Sequence, residues 1–162
     1  MFGFVGFTGH LAGGDEILKN MMDTIIHRGP DSAGTHIDSD VSLGFRRLSI
    51  IDLDSGTQPM YNETNDIVIV FNGEIYNYQE LKKDLIEKGH VFRNNSDTET
   101  LIHSYEEYGE AMLDRLRGMF AFVIWDGKKK KLFAARDFFG IKPFYYAIVD
   151  GQLVFASEIK SI

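Results

Sequence analysis

Three polar groups interrupt apolar, strand-like runs or open a helix, and each could hold part of a small charged substrate. Asn72-Gly73-Glu74 directly follows Ile67-Val68-Ile69-Val70-Phe71. An Asn amide and a Gly backbone N–H aimed at one point are the donors an oxyanion requires. Spacing alone favours a strand-ending turn here, because Asn-Gly is common turn chemistry. Arg46-Arg47 lies among Phe45, Leu48, Ile50 and Ile51, where an arginine must either meet an anion or face solvent. Strand alternation puts the two guanidiniums on opposite sides, so at most one serves a given pocket. Asp97 opens a helix, where the helix dipole favours a carboxylate whatever its use, and spacing alone favours a capping role.

Other chemistries find little support. The five histidines, His10, His27, His36, His90 and His103, show no metal-ligand spacing and no accompanying carboxylate cluster, so no metal site is expected. The glycines Gly3, Gly6, Gly9, Gly13 and Gly14 lack the Gly-Lys-Ser/Thr of a phosphate loop and the spacing of a dinucleotide fingerprint. The 162 residues contain no Cys, which excludes disulfides, Cys-ligated zinc, iron–sulfur clusters and a thiol nucleophile. A net charge of −7 disfavours nucleic acid and anionic membranes as partners. The one basic run, Lys128-Lys129-Lys130-Lys131, follows Asp126-Gly127 and reads as a solvated hairpin tip. No apolar stretch approaches the roughly 20 residues that span a bilayer, and the first residues lack a basic, signal-like start. A cytoplasmic location is therefore expected.

The elements that must position these groups follow from periodicity. Residues 2–7 alternate Gly with large apolar side chains, as a buried strand that something approaches closely would do. Asp15 is the expected cap of a helix carrying Ile17, Leu18, Met21, Met22, Ile25 and Ile26, stopped by His27-Arg28-Gly29-Pro30-Asp31. Residues 41–51 and 67–71 read as strands. Residues 78–88 read as a helix with Leu81, Leu85 and Ile86 on its apolar face and Gly89 at its end. Ser96-Asp97-Thr98-Glu99 matches a capping box that opens a helix over Asp97–Tyr108, followed by a short helix over 110–117. Strands over 119–125, 132–136, 144–149 and 152–156 follow, with Asp126-Gly127 and Asp150-Gly151 as two-residue hairpin signals. Hairpins imply antiparallel sheets and apolar helix faces imply layers over them, so one α+β domain is expected.

Together these segments resemble class II glutamine amidotransferase domains, most closely the glutaminase domain of glutamine-hydrolysing asparagine synthetases. The resemblance runs through His27-Arg28-Gly29-Pro30-Asp31, Arg47-Leu48-Ser49-Ile50-Ile51-Asp52, Gln58-Pro59-Met60 and Phe71-Asn72-Gly73-Glu74-Ile75-Tyr76-Asn77. It continues through Ser96-Asp97-Thr98-Glu99, Gly118-Met119-Phe120-Ala121-Phe122, Ala135-Arg136-Asp137-Phe138-Phe139-Gly140-Ile141-Lys142-Pro143 and Ser157-Glu158-Ile159-Lys160. It covers residues 1–162 as a single domain. It implies a four-layer αββα N-terminal-nucleophile hydrolase fold and the hydrolysis of glutamine to glutamate and ammonia for asparagine synthesis. It implies that Arg47 takes the α-carboxylate of L-glutamine, Asp97 its α-ammonium, and Asn72 with Gly73 the oxyanion. Glu74 and the segment Arg47, Leu48, Ser49, Ile50 and Ile51 would line the pocket. No cofactor is implied for this domain; ATP and Mg would belong to a synthetase domain or subunit, the implied partner, expected to be absent from residues 1–162. A homodimer stays open.

One position departs from the family pattern. The family begins Met-Cys-Gly, and its Cys supplies both the thiolate nucleophile and, after Met removal, the α-amino base. Here that position is Phe2. A benzyl group has no lone pair and no dissociable proton, so no glutamyl thioester can form. Met is excised before small residues, so Met1 is expected to stay. Thr8 would serve as an N-terminal nucleophile only after cleavage behind Phe7. The sequence thus predicts a glutaminase domain without turnover, with a glutamine-binding or purely scaffolding module as the alternative. The aromatic run 138–146 is a candidate contact surface, although most of its rings are expected in the core.

Overall fold

The computed structural model describes residues 2–48 and 57–162. Two antiparallel sheets lie face to face. In the first, β1 (Gly3–Thr8) runs centrally between β3 (Val41–Arg47) and β9 (Gln152–Ala156), with β2 (Ser32–Ile37) and β8 (Tyr145–Val149) at the edges. The second has the order β4 (Met60–Tyr61), β5 (Ile67–Ile75), β6 (Gly118–Asp126), β7 (Lys131–Arg136).

Strand alternation divides the apolar side chains among three cores. Phe4, Leu43, Phe45 and Phe155 of the first sheet meet Val68, Val70, Ala121 and Val123 of the second. Val5 and Phe7 point the other way, onto Leu18, Met21, Met22 and Ile25 of the helical layer containing α1 (Gly14–Thr24). Ile67, Ile69, Phe71 and Ile75 face Leu81, Leu101, Ile102 and Tyr105 of α2 (Tyr78–Glu87) and α3 (Asp97–Tyr108). The result is helix, sheet, sheet, helix: the four-layer arrangement the resemblance implies. Close approach to β1 occurs at Gly6, where a Cβ would lie 2.4 Å from the Phe155 ring.

Several local expectations are corrected. Helix α1 is entered through Gly13 at φ 73°, and no side chain among the described residues caps it; Asp15 sits in the first turn instead. Ile17, Ile26 and Ile86 are solvent-exposed, so the apolar stripes of α1 and α2 are narrower than periodicity suggests. The capping box forms only in half. Ser96 Oγ accepts from Glu99 N at 3.2 Å, but the Glu99 carboxylate turns back to Arg93 N and Asn94 N, at 2.8 and 2.9 Å. Residues 109–115 form 3-10 turns. The Asp150-Gly151 hairpin has two residues, both left-handed (φ 51° and 80°), as a type I′ turn requires. The hairpin at Asp126 closes four residues instead, because Asp126 pairs with Lys131. Its lysines lie over Asp66, Asp126, Asp40 and Glu110, as a solvated tip should.

Candidate functional site

Beyond the short β4, the outer edge of β5 has no strand partner among the described residues, and side chains take up its hydrogen bonds. Gln58, buried, accepts from Phe71 N through Oε1 at 2.6 Å and donates through Nε2 to Phe71 O at 3.1 Å. Asp97 Oδ2 accepts from Ile75 N at 3.0 Å. Gly73 lies two residues from each, so alternation turns its N–H to the same edge, into the gap between these two side chains. Only glycine fits: an added Cβ would lie 2.3 Å from Met119 O and 2.7 Å from Phe120 Cα. The expected Asn-Gly turn is therefore corrected; β5 runs on to Ile75, paired with β6 throughout.

Asn72 follows Val68 and Val70 on the face toward the first sheet. Its side chain is 2% exposed, and Nδ2 has no hydrogen-bond partner among the described residues. A buried amide donor left open is costly in the free protein and suits a site that a ligand oxygen completes.

The arginine ambiguity resolves. Arg46 turns to α1, donating to Met22 O at 3.2 Å and pairing with Asp23 at 2.5 Å. Arg47 takes the opposite face, is buried, and lines a cavity of about 570 Å³ with Asp31, Ser32, Phe45, Thr57 and Gln58. Gln58 thus connects the Arg47 cavity to the Asn72 strand. Leu48 is half-buried beside Arg47, while Ser49, Ile50 and Ile51 lie outside the described residues.

Asp97 is half-buried. Burial pushes its carboxyl up, Glu74 adds to this, and the backbone N–H groups of Ile75 and Thr98 offset it only in part. A cation placed here would relieve that cost. Glu74 itself is exposed.

Phe2 stands at the N-terminal end of β1. Its ring packs on Phe45, centroids 5.6 Å apart, against the wall of the same cavity. Its carbonyl accepts from Arg28 Nε at 3.0 Å, and Arg28 Nη1 pairs with Glu158 at 3.0 Å. The hydroxyl of Thr8 accepts from Leu153 N at 3.0 Å, at the end of the central strand.

Sequence reasoning missed Gln58 and Arg28 as supports; a Gln before a two-residue strand and an Arg in a turn carry no local signal. It also missed a cluster of His90, His103 and Glu106 whose ligand atoms all lie within 4.8 Å of one another. The expectation that no carboxylates accompany the histidines is corrected. The aromatic loop is corrected too: Phe138 and Phe139 are 95% and 84% exposed, not core. Asp137 beneath them, buried, accepts from Phe120 N at 3.2 Å, Ile141 N at 2.9 Å and Lys142 N at 3.0 Å.

Comparison with known proteins bears on the family and the fold. The glutamine amidotransferase domain family matches residues 1–162. Asparagine synthetase [glutamine-hydrolyzing] 1 of Bacillus subtilis is 50% identical over all of this chain and 26% of its own length. A rice counterpart, asparagine synthetase [glutamine-hydrolyzing] 2 of Oryza sativa, is 50% identical over 84% of this chain and 23% of its own. The chain therefore spans about a quarter of these relatives. Among solved structures, glutamine phosphoribosylpyrophosphate amidotransferase from B. subtilis superposes with a TM-score of 0.82 at 22% identity, covering 98% of this chain and 42% of that one. That likeness is one of fold. The chain belongs to the glutamine amidotransferase domain family and resembles the amidotransferase part of asparagine synthetases.

Proposed function

We propose that this chain binds L-glutamine in the manner of a glutaminase domain but does not hydrolyse it. In this reading Arg47 holds the α-carboxylate, a bidentate task suited to its guanidinium. Asp97 takes the α-ammonium. The side-chain amide oxygen meets Asn72 Nδ2 and Gly73 N–H, the donors that would stabilise the negative charge of a tetrahedral adduct. The observation that carries the reading is the buried Asn72 amide, without a hydrogen-bond partner among the described residues, beside the edge-facing N–H of Gly73.

Turnover requires a nucleophile that forms an acyl intermediate, and Phe2 supplies neither nucleophile nor base. Thr8 is a poor substitute, because cleavage behind Phe7 would remove most of the strand that pairs with both β3 and β9. What remains is oxyanion stabilisation and binding, worth at most roughly 10³–10⁴-fold over water. By analogy with the relatives, whose remaining three quarters lie outside this chain, the partner is an ATP-dependent synthetase part. ATP and Mg would belong there. The exposed Phe138-Phe139 loop fits that contact, which favours a scaffold as the second reading.

Calorimetric titration with glutamine, alongside an ammonia-release assay, tests the proposal. Micromolar-to-millimolar binding without release supports it. Release at enzymatic rates overturns the loss of hydrolysis, and absence of binding leaves the scaffold. Phe2→Cys with Met1 removed is expected to restore ammonia release.

A further inference from the structure

The cluster of His90, His103 and Glu106 stands apart from the glutamine site, on the outer helical layer. His103 and Glu106 share one face of α3, three residues apart, and His90 comes from the connection after α2. His103 Nδ1 lies 2.7 Å and His90 Nδ1 3.6 Å from Glu106 Oε2. The imidazole centroids are 5.0 Å apart. Ligand atoms around a four-coordinate zinc ion, with bonds of about 2.0–2.1 Å, stand roughly 3.4 Å from one another, so these three need only small adjustments.

The surroundings are those of metal-bound imidazoles. The far nitrogen of each ring faces its own carboxylate: His90 Nε2 lies 3.2 Å from Glu107 and His103 Nε2 3.5 Å from Glu63. Such outer partners fix the tautomer and orient the ring in metal sites. The second oxygen of Glu106 is held by Asn62 Nδ2 at 2.8 Å. With the His103 proton on Nδ1, its Nε2, on a side chain 2% exposed, has no hydrogen-bond partner among the described residues. A cation on Nδ1 would move that proton to Nε2, facing Glu63, and so satisfy both nitrogens. Glu63, Glu99, Glu106 and Glu107 surround the two rings with negative charge, against which Lys88 stands 3.8 Å from Glu107.

We propose that His90 Nδ1, His103 Nδ1 and Glu106 bind a borderline divalent cation of the zinc class, with water completing the shell on the half-exposed side. Two imidazoles and a carboxylate select such ions over magnesium or calcium. Bound there, the cation ties the connection after α2 to α3. Glu106 lies nine residues along that helix from Asp97, about 14 Å at 1.5 Å per residue. The site would brace the helix that carries Asp97 without touching the glutamine pocket.

The test is titration of the EDTA-treated, full chain with Zn²⁺ by calorimetry and with Co²⁺ by visible absorption. One equivalent should bind with a Kd of about 10 µM or tighter, and Co²⁺ should give the intense bands of a four-coordinate centre. His90→Ala and Glu106→Gln should each weaken Zn²⁺ at least tenfold. Glu107→Gln, an exposed change that spares the fold, should weaken it about tenfold through loss of the outer partner. His36→Ala should change nothing. Absence of binding up to millimolar Zn²⁺, or binding unaffected by both His90→Ala and Glu107→Gln, overturns the proposal.

Discussion

Replacing Gln58 by Ala probes the edge on which the candidate site is built. The side chain acts where a strand partner would, satisfying both the N–H and the C=O of Phe71, which is itself 1% exposed. Removing both partners leaves two buried backbone groups, each worth about 1–3 kcal/mol when unpaired. Water entering the vacated space repairs part of this, so a loss of about 2–3 kcal/mol is expected. For a chain of this size each kcal/mol shifts the melting temperature by about 2–4 °C, giving a fall of roughly 4–12 °C. Thermal unfolding followed by circular dichroism at neutral pH measures it. Gln58→Glu should also destabilise, because it keeps the acceptor for Phe71 N but sets a carboxylate oxygen against Phe71 O. Glutamine affinity should fall with it, since Phe71 precedes Asn72. A shift under 1 °C in the Ala variant would refute the reasoning that this side chain holds the edge of β5.

Other perturbations separate binding, docking and pH effects. Asp97→Asn should weaken glutamine at least tenfold by calorimetry while the melting temperature holds or rises, because a carboxylate disfavoured by burial is replaced by a neutral acceptor. Equal affinity in wild type and variant would remove Asp97 from the ammonium role. Phe138→Ser with Phe139→Ser should leave stability within about 0.5 kcal/mol, yet abolish co-elution with a synthetase domain from a relative. Burial opposes ionisation of Glu158, but Arg28, His27 and Lys160 outweigh it and hold the carboxyl down at about 2. Its unfolded value is higher, so its contribution is present above about pH 4.5 and is lost as pH falls toward 2. Melting temperatures across that window should fall less steeply in Glu158→Gln, and an unchanged slope would count against the pairing with Arg28.

The legible parts of the fold are those whose signals are local. Helix α3 is readable to both ends because Ser96 caps it and Gly109, at φ 57°, stops it. The β8–β9 hairpin is readable because two adjacent residues must both be left-handed. Strand β2 is not, since Ser32–Ile37 is an edge whose side chains are mostly exposed and carry no apolar alternation. β5 running through Asn72-Gly73 defies turn propensity because Gln58 and Asp97, both distant in sequence, cap its free edge. Alternation separates Arg46 from Arg47 but cannot say which faces α1; the packing of Met22 and Asp23 decides that. The histidine cluster was invisible for the same reason, its surroundings drawing on Glu63, the stretch after α2, and α3. The roles proposed for Asn72, Gly73, Arg47 and Asp97 rest on family likeness, and spacing alone points elsewhere.

Asp137 gives the exposed aromatic loop and β6 a common anchor. Its carboxylate gathers the amides of Ile141 and Lys142 at the loop and of Phe120 on β6, while its own N–H returns to Phe120 O at 2.7 Å. Phe120 is the residue opposite Gly73. A surface pressed against Phe138 and Phe139 therefore pushes on a hinge pin whose other end is seated one strand away from the amide that would greet the substrate oxygen. The loop and the strand opposite Gly73 are, in this molecule, mounted on the same bracket.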